Sequence, residues 1–436
     1  MASSTPVLKK ALTAVHLWAI AVGLVISGEY FGWNYGWGVA GTVGMLIATV
    51  AVTILYISFI FSFTELTTSI PNAGGPFTYA HKALGPIGGL IAGYATLIEF
   101  LFAPPAIAYA LGSYIHFLYP FFDVQYTAIG CYIIFTIINL LGVKESAVFT
   151  LVITLLAVAE LLIFMGVVAP HFRVTNFMHN NMPFGWAGVF AALPFAIWLY
   201  LAIEGVAMVA EETKDPQRTI PRGYISGIVT LVLLALGIMI LAGGITDWKN
   251  LSAIDYPLPE AIGIALGKNN HLTKIFAGIG LFGLVASFHS VIMTYSRQIF
   301  SLARENYLPQ FLSALHPRFR TPHWALLVGG AIGIIAILSG KTNELIIFSV
   351  LGAVVMYIIS MISLFVLRKK EPLLERPFKA PFYPWFPALA LLLSAICLIA
   401  IIYYNWLLSI YFFAFLLLLV VLFVTLGKHK KAAIHF

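Results

Sequence analysis

Charge is what this chain has least of. Of its 436 residues only 9% are Asp, Glu, Lys or Arg, against about 25% in an ordinary soluble domain. Hydrophobic residues make up 61%, and the mean hydropathy is +0.97. That excludes a water-soluble globule. The apolar residues come in long unbroken runs and do not alternate with polar ones, which excludes a membrane β-barrel. Cysteine is nearly absent. Cys131 and Cys397 both fall inside apolar runs, where they read as small core residues, not as a disulfide framework or metal site. No HExxH pair, cysteine nucleophile or dense acid and histidine cluster is present, which argues against a membrane enzyme acting on lipid head groups. Ser339-Gly340-Lys341-Thr342 imitates the end of a phosphate-binding loop, but the position of its first glycine is Ile335. No signalling domain points to a receptor, and neither a cofactor nor a metal is expected. The first apolar run is as long as a membrane span. Gly32-Trp33-Asn34-Tyr35 follows it in place of a small-residue cleavage site, so it does not read as a signal peptide.

What is present is twelve stretches of the ~20 apolar residues that a bilayer requires. They cover 14–35, 38–62, 86–117, 125–142, 147–169, 185–209, 223–245, 274–297, 323–339, 344–367, 384–404 and 406–427, and are called spans 1 to 12. The expectation is an all-α polytopic membrane protein of twelve transmembrane helices. With both termini in the cytoplasm, only Arg173, Lys249, Lys268, Lys274 and Lys341 of the 24 basic residues lie outside. The inner side then holds Lys9, Lys10, Lys214, Arg218, Arg222, Arg368, Lys369, Lys370 and the C-terminal cluster Lys428, Lys430 and Lys431. This is the positive-inside asymmetry of a protein of the cell (inner) membrane. It accounts for the +7 net charge without nucleic acid as a partner; the bilayer itself is the partner.

Four acids stand out. Glu29, Glu99, Glu160 and Glu204 lie within spans 1, 3, 5 and 6, and no lysine or arginine lies inside those four stretches. A carboxylate at mid-membrane costs roughly 2.5–3.5 kcal/mol on insertion scales. It calls for a partner the chain does not supply: a cationic solute, a coupling ion or a proton. Two of these acids stand at interruptions. Span 1 contains Ser27-Gly28-Glu29-Tyr30-Phe31-Gly32 and span 6 contains Trp198-Leu199-Tyr200-Leu201-Ala202-Ile203-Glu204-Gly205. Interrupted helices five spans apart are the pointer to inverted-repeat transporters, whose substrate binds at the breaks. The alternative is two continuous helices that carry glycine for close packing. The repeat reading divides the chain into a cytoplasmic tail 1–13, a first repeat 14–169, a second repeat 185–367, helices 11 and 12 at 384–427, and a tail 428–436.

The loops carry a resemblance. Glu65-Leu66-Thr67-Thr68-Ser69-Ile70-Pro71-Asn72-Ala73-Gly74-Gly75-Pro76 follows span 2, and Ala210-Glu211-Glu212-Thr213-Lys214-Asp215-Pro216 follows span 6. Tyr295-Ser296-Arg297 and Ala303-Arg304-Glu305-Asn306-Tyr307-Leu308-Pro309 close span 8, and Arg376-Pro377-Phe378-Lys379-Ala380-Pro381 precedes span 11. In this order and spacing they resemble the amino acid, polyamine and organocation transporter superfamily. The resemblance implies a 5+5 inverted repeat of leucine-transporter type with discontinuous helices 1 and 6. Amino acid carriers of that superfamily hold the substrate carboxylate at a Gly-Ser/Ala-Gly break in span 1. Here the segment is Ile26-Ser27-Gly28 followed by Glu29, whose charge would repel a carboxylate. The segment 27–34 and the run Leu97-Ile98-Glu99-Phe100-Leu101-Phe102-Ala103-Pro104-Pro105-Ala106 resemble the bacterial ethanolamine permeases.

The expected function is therefore import of a small organic ammonium, ethanolamine first, by alternating access. The alternative is an amino acid or polyamine permease. The expected substrate site comprises Ser27, Gly28, Glu29, Tyr30, Glu99, Phe100, Trp198, Tyr200 and Glu204. Glu29 is the counter-ion, free backbone carbonyls of the break assist it, and the aromatic rings offer cation–π contacts. The Pro104-Pro105 pair is expected to bend span 3 and bring Glu99 toward the cavity. Some proton-coupled relatives carry a lysine in span 5 where this chain has Glu160, so Glu160, Ser287 and His289 are the candidates for handling H+ or Na+; uncoupled transport stays open. For each acid, and for His289, the competing reading is a hydrogen-bonded interior group. The assembly is expected to be a monomer or homodimer.

Overall fold

The computed structural model describes residues 10–142, 147–268 and 270–425. Lys9 and the cluster Lys428, Lys430 and Lys431 lie outside the described residues. Helices occupy every one of the twelve expected stretches. Span 2 is Tyr35–Ser69, span 3 Pro76–Leu118, span 4 Val124–Leu140, span 5 Ala147–Val168 and span 7 Pro216–Gly243. Span 8 is His271–Arg304, span 9 His323–Ile337, span 10 Thr342–Lys370, span 11 Trp385–Tyr404 and span 12 Trp406–Thr425. Among the described residues nine helices are long and apolar enough to cross a bilayer, and shorter apolar helices stand at spans 1, 4 and 9. Their starts follow local chemistry. Proline at the first helical position opens spans 3 and 7, while the Asp123 and Asn270 side chains cap spans 4 and 8 by accepting from Tyr126 and Leu272 amides.

Spans 1 and 6 are broken. Span 1 is Ala14–Val25 and then the single turn Ser27–Tyr30, after which Phe31 is extended and Gly32 has φ +93°. Span 6 is the α-helix Gly185–Trp198 followed, after a turn, by a 3₁₀ segment Ile203–Glu212. Ala202 joins them in the left-handed region at φ +78°, an uncommon place for a residue with a Cβ. Pro104 and Pro105 both sit inside helix, and the residue of span 3 with non-helical φ and ψ is Gly85 at φ +80°. Helical Pro76–Leu84 thus precedes the apolar part of the span.

Burial ranks the spans. Within the apolar window of span 3, 89% is buried, against 22% in span 12. The centre is built from spans 1, 3, 6, 8 and 10, with span 10 along span 3, span 1 along span 7 and span 2 along the first half of span 6. Near their ends the two broken spans are tied together. The Ala11 amide donates to the Glu212 carbonyl at 2.8 Å and the Lys214 amide to the Leu12 carbonyl at 3.0 Å. Glu211 accepts from the Ala73 amide at 2.9 Å, and Arg297 of span 8 lies 3.4 Å from Glu212.

Candidate functional site

The breaks touch. A Cβ on Gly28 would lie 2.5 Å from the Trp198 carbonyl oxygen, and one on Gly205 would lie 2.9 Å from Leu24. Position 28 meets 198 and position 24 meets 205, so the two segments run antiparallel. Glu29 and Glu204 therefore stand toward opposite ends of the contact.

At the first end Trp198 lies over span 1. Its indole donates to the Phe31 carbonyl at 3.0 Å, and its ring meets Phe31 edge to face at 5.6 Å. Gly32 makes room for it, since a Cβ there would fall 2.4 Å from the indole nitrogen. Glu29 is fully buried, and neither of its carboxyl oxygens has a donor. Tyr200 bonds Thr53 of span 2 at 2.7 Å. The expectation that the broken backbone leaves carbonyls free for a substrate is corrected for four of them. The Leu24 carbonyl accepts from Ser287 (2.7 Å), Glu29 from the Trp33 indole (3.1 Å), Tyr30 from Tyr114 (3.2 Å) and Phe31 from Trp198. Three of these donors come from other spans and one, Trp33, from four residues further along the chain; together they satisfy backbone groups that a break releases. They leave the Glu29 side chain as the unmet charge.

The other acids fall into two further places. Tyr30 donates to Glu160 at 2.6 Å, so that span 5 grips span 1 one residue after Glu29. Ser27 and Ser287 share a hydrogen bond at 2.8 Å, which brings span 8 against the break as expected. His289 lies two residues on, across the helix, and meets Asn139 of span 4 at 2.9 Å, away from Ser287. Glu99 and Glu204 are both fully buried, and among the described residues neither Glu99 oxygen nor Oε1 of Glu204 has a hydrogen-bond donor. Phe100 packs beside Gly205 at the same place. Tyr357 of span 10 reaches Glu204 at 3.5 Å and bonds Tyr56 of span 2 at 2.7 Å; the Tyr56 ring lies 5.0 Å from Tyr200. Tyr56 and Tyr357, neither singled out in the sequence, thus link Tyr200 to Glu204. Nothing local marks them among 20 tyrosines.

Outside the core, Asp255 closes the loop above span 2 by accepting from Tyr35 (2.6 Å) and Thr342 (3.1 Å). Burial pushes its carboxyl above the usual range, and the two hydroxyl donors pull against that. A cavity of about 540 Å³ between spans 3, 8, 9, 10 and 12 is walled by Leu97, Leu101, Phe348 and other residues without one charged side chain, and is no candidate for an ammonium.

A family model described as amino acid permease matches residues 12–432 of this chain. A transporter of Rhizobium meliloti with no assigned substrate is 29% identical over 398 residues, covering 88% of this chain and 85% of its own. The branched-chain amino acid permease of Bacillus subtilis is 26% identical over 456 residues, 97% of this chain and 94% of its own. The low-affinity putrescine importer of Escherichia coli is 26% identical over 343 residues, 75% of each.

Proposed function

The chain belongs to the amino acid permease family, a multi-pass secondary transporter and not an enzyme, and we propose that it imports a small organic ammonium, ethanolamine first, by alternating access. The observation that carries this reading is Glu29, a buried carboxylate with no donor at the break of span 1. An ammonium at that carboxylate supplies the missing donors and charge, and an α-amino acid would bring a second carboxylate to the same place. Ser27, Gly28 and Tyr30 shape the break, Phe100, Tyr200 and Trp198 offer rings, and a desolvated ammonium over a ring gains on the order of 2 kcal/mol. Trp198 is the lid.

Spans 1–5 and 6–10 form an inverted pair of repeats in this reading. Both termini are cytoplasmic, and spans 1, 2, 6 and 7 rock against the rest. Glu160, through Tyr30, and Ser287, through Ser27, are the groups by which H+ or Na+ would act on span 1.

A second reading, an amino acid or polyamine carrier, is favoured by the relatives, two of which are named for branched-chain amino acids and for putrescine. Uptake of labelled ethanolamine into proteoliposomes, competed by choline, alanine, leucine and putrescine, separates them. Ethanolamine uptake indifferent to alanine and leucine supports the first reading. Strong leucine or putrescine uptake without ethanolamine uptake establishes the second.

A further inference from the structure

Protein interiors pack densely and leave few voids larger than a water molecule. The hollow of about 540 Å³ between spans 3, 8, 9, 10 and 12 departs from that. None of its walls belongs to span 1 or span 6, so transport at the breaks makes no use of it. Its long walls are two helical stripes. Span 3 presents Tyr94, Leu97, Ile98, Leu101 and Phe102, and span 12 presents Tyr411, Phe415 and Leu419 at four-residue spacing. Each stripe covers about 12 Å of helix, close to half of the ~30 Å hydrocarbon core. The hollow has the depth of one leaflet.

Span 12 is propped over it by two aromatic pairs. Phe423 stacks on Tyr307 with ring centroids 4.9 Å apart, and Phe412 meets Phe348 edge to face at 5.8 Å. Tyr307 is anchored in turn, its hydroxyl bonded to His81 at 2.5 Å and its carbonyl accepting from Tyr94 at 2.8 Å. Between these props Phe415 and Leu419 face the hollow. Leu308 and Leu312, just past span 8, close one end of it, while Phe102 and Phe348, edge to face at 4.6 Å, close the other within the spans. Of the side chains that line it only Tyr94 and Tyr411 carry a polar atom, and the Tyr94 hydroxyl is already spent on Tyr307. Water finds no partners in such a place, and cavities of this kind stay dry.

The wall on span 12 also belongs to the outer surface. Tyr411 and Phe415 line the hollow and are nonetheless 57% and 44% exposed, in the least buried of the long spans. The hollow therefore continues into the surface that the bilayer covers, and what lies there is hydrocarbon. The tail after span 12 is no substitute occupant, since Lys428, His429, Lys430 and Lys431 head it.

We propose that this hollow is a lipid site, which takes one acyl chain of a membrane phospholipid past span 12 with the headgroup at the loop after span 8. In that place the acyl chain braces span 3 from behind. Leu97, Ile98 and Leu101 face it, while Phe100 of the same turns packs beside Gly205 at the break of span 6. The site is independent of which solute Glu29 binds.

The test uses the purified full-length chain in nanodiscs of phosphatidylglycerol that include a trace of the same lipid with a diazirine midway along one acyl chain. After illumination the labelled residues are mapped by mass spectrometry. The expected result is label at Leu97, Leu101 and Ile332 as strong as at Leu417, which is 64% exposed on the outer side of span 12. Ile332→Trp and, separately, Leu101→Phe fill the hollow, so label at the remaining walls is lost while Leu417 keeps its own. Thermal unfolding in detergent gives a second readout: added phosphatidylglycerol raises the unfolding temperature of wild type more than that of either filled variant. Label confined to Leu417, wall label unchanged in both variants, or equal shifts in unfolding temperature would each overturn the site. Cross-links between two copies through span 12 in place of lipid label would make the hollow a protein interface, and wall label from a diazirine fatty acid but none from the phospholipid would make it a fatty-acid site; either result overturns the proposal. The wild-type label pattern decides even where a filled variant does not fold.

Discussion

Two buried carboxylates, 36 positions apart, have been given opposite surroundings. Glu65 at the end of span 2 is 1% exposed and crowded with donors. Arg368 forks onto it at 2.8 and 2.6 Å, the Ala380 amide donates at 2.7 Å, and Arg376 lies 3.3 Å away. Arg368 in turn lies 3.7 Å from the centroid of the Tyr383 ring, and Arg376 reaches the Leu367 and Glu371 carbonyls at the end of span 10. Glu29 is 0% exposed and has no donor among the described residues. Burial is the same; provision is not. Where the fold needs a carboxylate it supplies the cation from its own sequence, and Glu65 pins the loop between spans 10 and 11. At Glu29 the described residues supply none, which is why the proposed ammonium is placed there.

Exchanging charge for amide at the two sites separates them most sharply. Glu29→Gln removes a charge that faces no protein donor, so substrate binding weakens by about 2–5 kcal/mol, between roughly 30-fold and several thousandfold. The unfolding temperature in detergent holds or rises. Glu65→Gln strands two arginines and lowers unfolding stability by about 3 kcal/mol, near the lower end for breaking a buried pair because Arg368 keeps a fifth of its side chain exposed. Binding by the folded fraction stays as in wild type. Tyr30→Phe converts Glu160 from the Glu65 condition toward the Glu29 condition by removing its phenol donor. Thermal unfolding should show a loss of about 1–3 kcal/mol, smaller when Glu160→Gln is made as well. Trp198→Phe keeps an aromatic lid and drops only the bond to the Phe31 carbonyl. About 1 kcal/mol is at stake, read as a roughly fivefold faster release of bound substrate. A Glu29→Gln protein that binds normally while Glu65→Gln loses binding would reverse the comparison.

Much of the architecture was legible because bilayer chemistry is severe. Apolar run length placed all twelve helices within a few residues at most ends, and Gly28, Gly32 and the acids marked the breaks. Donor assignments were out of reach. That Tyr30 reaches Glu160, and that Ser287, Tyr114 and Trp198 already bond carbonyls of the break, depend on residues more than fifty positions away. Hydropathy carries no information on rotation when a helix is apolar all round, as spans 1, 3 and 6 nearly are.

Trp198 has a further use. Its indole is hydrogen-bonded and nearly sealed, at 2% exposure, against Gly32. Any opening of the break must wet that ring. With the other eight tryptophans replaced by phenylalanine, its emission becomes a built-in optical clock for the transport cycle, shifting to the red each time the lid lifts and back when it reseats, with no label attached.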